Sequence, residues 1–264
     1  MAKERVDAGR GKGVVTPPHK GGKNRTFYIL LGVLLVAGIG TLSWLATRSG
    51  NVIQLDPNVA PIANQGHVIG SPTAAVEVVE FADFECPACG SFANLTEPDV
   101  RARLVNTGQI RFRFIDYPLD IHPNTWAAHN AAWCASEQNR FWEMHDLIFQ
   151  NQDRWSTQAT RRPNAVLIPL ARQLGLDMPQ FEGCVESRKF HPQIKANYDE
   201  ALRRGIPSTP TFIIGTQQVS GSLGYDQFKR VVDQALAAAP RGGTRADSAS
   251  ATKAAPAGAT PRPR

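Results

Sequence analysis

The stretch EFADFECPACGSF, residues 80–92, is the most informative part of this sequence, because it places two closely spaced cysteines directly after an apolar run. Only Pro87 and Ala88 separate Cys86 from Cys89. Such a pair serves as a redox centre, as half of a zinc site or as a short structural disulfide. The surrounding sequence has to distinguish these three uses.

The residues around the pair predict a strand, a turn and a helix. Ala75–Phe81 is rich in β-branched residues and predicts a buried strand. A helix is expected to begin at the cysteines and to run towards Thr107, with a kink at Pro98. At the N-terminus of a helix the dipole favours a thiolate, and the pKa of Cys86 should fall from about 8.5 to between ~3.5 and ~7. Pro87 suits the first helical turn because it lacks an N–H, and Pro87-Ala88 should tune the thiol pKa.

The spacing of the cysteines favours redox chemistry. Cys89 lies about one helical turn after Cys86, so we expect an exposed, attacking Cys86 and a more buried Cys89 that resolves the mixed disulfide. A four-cysteine zinc site normally has two close pairs, whereas Cys134 and Cys184 are isolated. A purely structural bridge across so short a loop would gain little entropy. We therefore expect no metal and no cofactor other than the redox-active disulfide itself.

The rest of the domain predicts a small mixed sheet with a helical insertion. Gln109–Tyr117 alternates apolar and charged residues, Thr211–Ile214 is apolar, and a turn at Gly215–Thr216 leads into a strand around Gln218–Ser220. The early crossover favours a parallel strand pair and the late tight turn an antiparallel one. Helices are predicted over 123–155, 164–174, 179–188, 192–204 and 225–238, with the insertion covering about 119–196.

The net charge of +6 lies in the tails of the chain of 264 residues. Residues 1–25 carry +5 and residues 240–264 carry +4, which leaves −3 for residues 26–239. A nucleic-acid-binding function therefore loses its main support. Both tails are expected to be disordered. The C-terminal tail is rich in Ala, Pro and Arg and has few apolar residues to offset the entropy lost on ordering.

An uncharged run over residues 26–47 is long enough to cross a bilayer, which needs about 20 residues. The basic residues before it place residues 1–25 in the cytoplasm and the remainder outside the inner membrane. A cleaved signal peptide is the alternative, but no clear cleavage site follows. Residues 48–66 then form a linker and residues 67–239 one extracytoplasmic, periplasmic domain, where disulfides persist.

Residues 205–215, GIPSTPTFIIG, complete a pattern that resembles a known family. Together with EFADFECPAC and with FWEMHDLIFQNQ (141–152), the segment TPTFIIG is similar to the DsbA-like thiol:disulfide oxidoreductases of the thioredoxin superfamily. The resemblance covers about residues 67–239. It implies a thioredoxin-like fold of the α/β class, with a mixed sheet and an inserted helical subdomain.

The resemblance also implies roles for residues away from the pair. Pro210 should be a cis-proline packed against the cysteines, and Thr209 should offer backbone groups to an extended substrate strand. Glu80 should be a buried acid that relays the proton of Cys89, since a carboxylate in an apolar strand is costly unless it is used or paired; a solvent-facing glutamate is the alternative. Members with this arrangement can carry a second, structural disulfide, here Cys134–Cys184, the alternative being two buried free thiols.

The resulting hypothesis is a membrane-anchored thiol:disulfide oxidoreductase that forms disulfides in exported proteins and is recycled by a membrane redox partner. A reductase or isomerase is the alternative, because Thr209 resembles what isomerase-type members place before the cis-proline and because the CPAC sequence lacks the histidine of well-known oxidases. A tethered peptide-binding or chaperone module is the non-enzymatic alternative. Because nothing resembles a dimerisation domain, we expect a monomer.

Overall fold

The computed structural model of the protein describes residues 23–46, 52–55 and 65–239. The predicted basic tail up to residue 22, most of the predicted linker and the predicted tail 240–264 lie outside the described residues. The chain divides into two compact units, Met1–Ser49 and Gly50–Arg264.

The first unit contains helix α1, Lys23–Ala46, which is 24 residues long. Between Phe27 and Ile39 its large apolar side chains are exposed, with Val36 at 72% of its full accessibility. In the part of the chain that the structure describes, no helix combines the length and the apolar character that a membrane crossing requires.

The second unit is built on a six-stranded mixed sheet with the strand order β1-β6-β5-β3-β4-β2. The strands are β1 Val52–Gln54, β2 His67–Ile69, β3 Val76–Ala82, β4 Ile110–Asp116, β5 Thr211–Ile214 and β6 Gln217–Ser220. Strand β3 pairs in parallel with β4 and antiparallel with β5, and β5 pairs antiparallel with β6. The predicted mixed sheet is confirmed, and its central strands begin and end within about one residue of their predicted limits.

Two edge strands lie in sequence that predicted none. Val52–Gln54 falls inside the predicted linker 48–66 and instead pairs with β6, while His67–Ile69 pairs with β4. The prediction of a linker is wrong for these three residues. The β-branched Val52 and Ile53 suit a strand, but a three-residue segment is too short to show periodicity and forms only because β6 offers an unpaired edge.

The helix that follows the cysteines is shorter than predicted. Helix α2 covers Pro87–Leu95, a short helix α3 covers Glu97–Val100, and a π-helical turn covers Arg101–Val105. A single helix towards Thr107 is therefore wrong. Pro98 has no N–H and its ring would clash with the carbonyl group four residues earlier, so the regular helix ends before it rather than bending through it.

Six helices form the insertion between β4 and β5. They are α4 Thr125–Ser136, α5 Phe141–Gln150, α6 Gln152–Trp155, α7 Asn164–Gln173, α8 Met178–Ser187 and α9 His191–Arg203. The insertion ends at Arg203, beyond the predicted limit of residue 196, because α9 continues without a break to that residue. Gly205, with φ at +63°, then ends the helix. Helix α10, Tyr225–Ala238, closes the domain with the predicted limits.

The cysteine helix α2 lies where two apolar clusters meet. Cys89 belongs to the cluster between the sheet and the helical insertion, which also contains Trp155. Phe92, one turn further along the same helix, belongs to the cluster between the sheet and α10, and its ring packs on Phe212 at 4.6 Å. Packing on both sides therefore holds the start of α2 in a defined position.

Candidate active site

The cysteine pair forms the start of helix α2. Cys86 is the N-cap residue with extended backbone angles, φ −69° and ψ 123°, and Pro87 is the first helical residue. The N–H group of Gly90 donates to the carbonyl oxygen of Cys86 at 3.0 Å and closes the first turn. The N–H groups of Ala88 and Cys89 have no partner within the helix, so they are available to a negative charge on the Cys86 sulfur.

Cys86 is less exposed than the sequence predicted. Its relative accessibility is 8%, against 0% for Cys89. The prediction of an exposed Cys86 is wrong because the segment at Thr209 covers the thiol, whose Sγ donates to the Thr209 carbonyl oxygen at 3.4 Å. Of the pair, only Cys86 keeps a route to solvent, which gives the two cysteines different accessibility to a substrate.

The loop Thr209–Pro210 lies beside the pair because β5 is antiparallel to β3. The register pairs Thr211 with Phe81, so the residues just before β5 reach the end of β3 from which the cysteine turn starts. The Thr209–Pro210 peptide bond is cis. Thr209 is buried beside the pair.

The two thiols differ strongly in acidity. A hydrogen bond from the Cys89 thiol, helped by the Thr209 side chain and the N–H groups of Cys89 and Ala88, outweighs burial and lowers the pKa of Cys86 to about 6. Burial raises the pKa of Cys89 well above its usual value, and the Cys86 thiol and Glu80 raise it further. Both cysteines are free thiols in this structure. This difference favours a thiolate at Cys86 and a protonated thiol at Cys89.

This difference predicts a pH profile for alkylation of the reduced protein. We expect the rate of Cys86 alkylation by iodoacetamide to rise with pH to a midpoint of about 6 and then to level off, because only the thiolate reacts. The measurement is the alkylation rate followed by mass spectrometry, together with the ultraviolet absorbance of the thiolate. Cys86→Ala should remove this titration, and a midpoint near the value of an ordinary thiol would contradict the assignment.

Glu80 is buried beneath the pair, and its accessibility of 2% removes the solvent-facing alternative. Burial raises the pKa of Glu80 well above its usual value, and the Glu97 and Cys86 charges act in the same direction while Arg101 opposes them. The raised pKa favours the protonated form of the Glu80 carboxyl group. Glu80 interacts electrostatically with Cys89 and raises its pKa, so Cys89 is the group with which Glu80 would exchange a proton.

Asp83 anchors the cysteine turn to the helical insertion, a role that sequence reasoning missed. Its carboxylate is fully buried and accepts hydrogen bonds from the Leu119 N–H at 2.9 Å, from the His122 Nδ1 at 2.6 Å and from the Thr125 hydroxyl. Its carbonyl oxygen accepts from the Cys86 N–H at 3.1 Å. The bond to Asp83 raises the pKa of His122, which interacts electrostatically with Cys86.

Glu85 and Gln152 hold the same turn from the other side. The Glu85 carboxylate accepts from the Asn124 N–H at 2.8 Å and from the Thr157 N–H. The Gln152 amide donates to the carbonyl oxygens of Phe84 at 2.7 Å and Cys86 at 3.0 Å. Acidic residues in a turn are expected to face water, and only the position of the insertion reveals that these side chains are buried.

Cys134 and Cys184 lie within the insertion, where a disulfide with a Cα–Cα distance of 5.8 Å joins α4 to α8. Both residues are buried. The bridge is separate from the Cys86–Cys89 pair and ties together two helices of the insertion.

Comparison with curated proteins gives relatives of two kinds. The chain is 36% identical over 207 residues to the Na(+)/H(+) antiporter NhaA 3 of Salinispora tropica, with 77% of this chain and 30% of that protein covered. It therefore spans less than a third of the length of this antiporter relative. It is also 24% identical over 172 residues to the disulfide bond formation protein D of Bacillus subtilis, with 64% of this chain and 76% of that protein covered.

Solved structures share the fold. The chain matches oxidised BdbD from Bacillus subtilis with a TM-score of 0.59 and 21% identity, over 72% of this chain and 100% of that one. It matches alpha-DsbA1 of Wolbachia pipientis with a TM-score of 0.60 and 21% identity, over 68% and 94% of the two chains.

The sequence profile of the family described as Thioredoxin matches residues 63–234, which include both cysteines, the Thr209–Pro210 loop and every strand from β2 to β6. This chain therefore belongs to the thioredoxin family.

Proposed function

We propose that the chain is a thiol:disulfide oxidoreductase that forms disulfides in exported proteins through Cys86 and Cys89. The observation that carries the proposal is the asymmetry of the pair: Cys86 keeps a route to solvent and has a pKa of about 6, whereas Cys89 is fully buried and holds its proton. The name of the Bacillus subtilis relative, disulfide bond formation protein D, supports the same class of reaction.

The proposed reaction begins with the oxidised pair. A substrate thiolate attacks the sulfur of Cys86, the Cys86–Cys89 bond breaks, and Cys89 leaves as a thiolate that takes up one proton. A second substrate thiolate then attacks the substrate sulfur of the mixed disulfide and expels Cys86 as a thiolate. The substrate loses two electrons and gains a disulfide, and the enzyme pair is reduced to one thiolate and one thiol.

The low pKa of Cys86 supports the oxidising direction. A stabilised thiolate favours the reduced pair, so the disulfide form is the more oxidising. At neutral pH about nine tenths of Cys86 is ionised for a pKa of about 6. We expect an extended substrate strand to bind beside Cys86 at Thr209–Pro210, by β-augmentation.

Two assays on the full chain test the activity. Refolding of reduced ribonuclease measures oxidation and isomerisation, and reduction of insulin by dithiothreitol measures reductase activity. A reduction potential near about −120 mV would support an oxidase, and one near about −270 mV a reductase. Turnover in neither assay would contradict the proposal and favour a peptide-binding module.

We further propose that residues 26–47 anchor the catalytic domain on the extracytoplasmic side of the inner membrane. The support is the uncharged run with the basic residues before it. The substrates would then be exported proteins with free thiols, and a membrane redox partner would reoxidise the pair. Protease added to intact spheroplasts should digest the domain and spare residues 1–25; protection of the domain would contradict this location.

A further inference from the structure

A cluster of four ionisable side chains, two of them fully buried, takes no part in the proposed thiol–disulfide exchange. This Glu97 cluster consists of Glu97, Arg101, His145 and Asp146. Glu97 and Arg101 lie on α3 and the π-helical turn that follows it, and His145 and Asp146 lie on α5. Buried charges are costly, so a cluster of this kind needs either full pairing or a use.

Arg101 pairs with both carboxylates of the cluster. Its Nε and Nη2 donate to Glu97 Oε1 at 2.8 and 2.6 Å, and its Nη1 and Nη2 donate to Asp146 at 2.9 Å each. One guanidinium therefore offsets two carboxylates. The cluster therefore has two carboxyl groups and one permanent positive charge. This excess of acidic groups favours the binding of one proton by the cluster.

Two atoms of the cluster face each other without a hydrogen bond. Glu97 Oε2 and His145 Nε2 are 3.8 Å apart, both are buried, and neither has a hydrogen-bond partner within the described residues. His145 Nδ1 lies 2.8 Å from Asp146 Oδ1, an acceptor, and 3.3 Å from Arg101 Nη2, a donor; because the contact with the acceptor is the shorter one, we assign the imidazole proton to Nδ1. The lone pair of Nε2 then faces Glu97 Oε2, and a shift of about 1 Å would join them by a hydrogen bond.

The cluster connects the cysteine pair to the surface. Glu80 is the in-register neighbour of Phe114, whose ring lies 5.2 Å from that of His145. Glu80 interacts electrostatically with Glu97 and Arg101 on this side and with the cysteines on the other. At the opposite end, the Asp146 side chain is 40% exposed. Glu80, Glu97 and His145 are all buried, so Asp146 is the solvent end of the series.

The proposed reaction requires such a connection. Each time the Cys86–Cys89 disulfide is reduced, the Cys89 thiolate must take up a proton, and each time the pair is reoxidised the proton must leave. Cys89 is 0% exposed and Glu80 2% exposed. Glu80 can supply one proton, but it must recover that proton from solvent before the next cycle.

We propose that the Glu97 cluster carries this proton between solvent and Glu80, in the order Asp146, His145, Glu97. The proposal rests on the proposed function and deepens it. In the oxidised protein the imidazole proton of His145 would stand on Nε2. On reduction of the pair, that proton passes to Glu97, which reprotonates Glu80, while one solvent proton enters at Asp146 and passes to Nδ1, which leaves the Nδ1–H tautomer assigned here to the protein with free thiols. Reoxidation reverses the path, and each passage interchanges the two imidazole tautomers. His145 and Glu97 act through Glu80, and are thus positioning residues.

The surroundings of His145 contain few other groups that titrate. Arg101, Glu97 and Asp146 face it from α3, the π-helical turn and α5, and His67 on β2 interacts with it electrostatically. Burial lowers the pKa of His67 to about 4, which leaves that ring neutral in the working range. The remaining contacts of the His145 ring are aromatic and come from Phe84, Phe114, Phe141, Trp142 and Phe149.

The test is the rate of reduction of the oxidised full chain by dithiothreitol, followed by tryptophan fluorescence in H2O and in D2O. His145→Gln keeps the size and polarity of the side chain but cannot exchange protons between two ring nitrogens. We expect it to slow reduction by about tenfold or more and to raise the solvent isotope effect, because proton delivery becomes limiting. Glu97→Gln, which can still accept from Arg101, should act in the same direction.

The chain offers a matched control in His129. It is also 0% exposed, its Nδ1 lies 2.6 Å from Asp116, and its Nε2 has no hydrogen-bond partner in the described residues. His129→Gln should leave the rate and the isotope effect unchanged. Equal effects in both variants, or wild-type behaviour of folded His145→Gln, would overturn the relay. Failure of the wild-type protein to react with dithiothreitol would instead overturn the proposed function.

A second measurement needs no substitution. The imidazole nitrogen resonances of His145 in the wild-type protein should differ between the oxidised and reduced forms, because each passage of a proton interchanges the two imidazole tautomers. Those of His129 should not change. Identical His145 resonances in both forms across the titration of Cys86 would overturn the proposal even if every variant failed to fold.

Discussion

Cys86→Ser is expected to lose thiol–disulfide exchange, with a fall in rate of at least about a thousandfold, the scale on which enzymes lose activity with their nucleophile. A serine hydroxyl at this position cannot form a disulfide, and it is not ionised at neutral pH. The measurement is refolding of reduced ribonuclease by the full chain. Activity above about a tenth of the wild-type rate would contradict the assignment of Cys86 as the attacking thiol.

Cys89→Ser is the matched variant, because it makes the same sulfur-to-oxygen change one helical turn away. It leaves Cys86 accessible but removes the thiol that resolves the mixed disulfide. We therefore expect covalent enzyme–substrate adducts to accumulate and to be visible on non-reducing gels. Cys86→Ser should form none, and adducts in that variant would mean that Cys89 is the residue reached by substrate.

The double variant Cys134→Ala/Cys184→Ala is expected to lose about 4 kcal/mol of unfolding free energy. The bridge joins residues separated by 50 positions, and a loop of this length loses that much chain entropy in the unfolded state when it is closed. For a domain of this size the loss lowers Tm by about 10 °C. The measurement is thermal unfolding by circular dichroism.

Reductant supplies the control for this prediction. Reducing agent should lower the Tm of the wild-type protein towards that of the double variant and should change the variant little. Cys86→Ala/Cys89→Ala should lose much less stability than the double variant, because that pair closes only a short loop. Alkylation of both Cys134 and Cys184 in unreduced, denatured protein would show that the bridge does not form.

The central elements could be predicted because their signals are local. β3 and α10 have long apolar or amphipathic patterns, and β5 is a short apolar run before a turn. The structure has all three with nearly the predicted limits. The edge strands Val52–Gln54 and His67–Ile69 could not be predicted, because three residues show no period and their pairing partners lie far away in the sequence. The break between α2 and α3 had its signal in Pro98, but the sequence pointed to a kink rather than a break.

The candidate site divides in the same way. Cys86, Cys89 and Pro210 stand in short motifs, so their identity can be read from the sequence alone. The burial of Asp83 and Glu85 cannot be read from the sequence, because charged turn residues normally face water. These two are covered only by the insertion, whose contacting residues come about 40 to 70 positions later.

The sequence by itself determined the chemistry of this protein: two thiols at the start of a helix after a buried strand, in a frame of the thioredoxin family. Only the tertiary structure decided which thiol is reachable and how the proton can leave. The coverage of Cys86 by Thr209, at 3.4 Å, joins residues 123 positions apart. Glu97 and His145 face each other, although the helices that carry them are separated by strand β4 in the sequence. Solvent access and the cost of a buried charge depend on such distant contacts, and no local pattern of residue types encodes them.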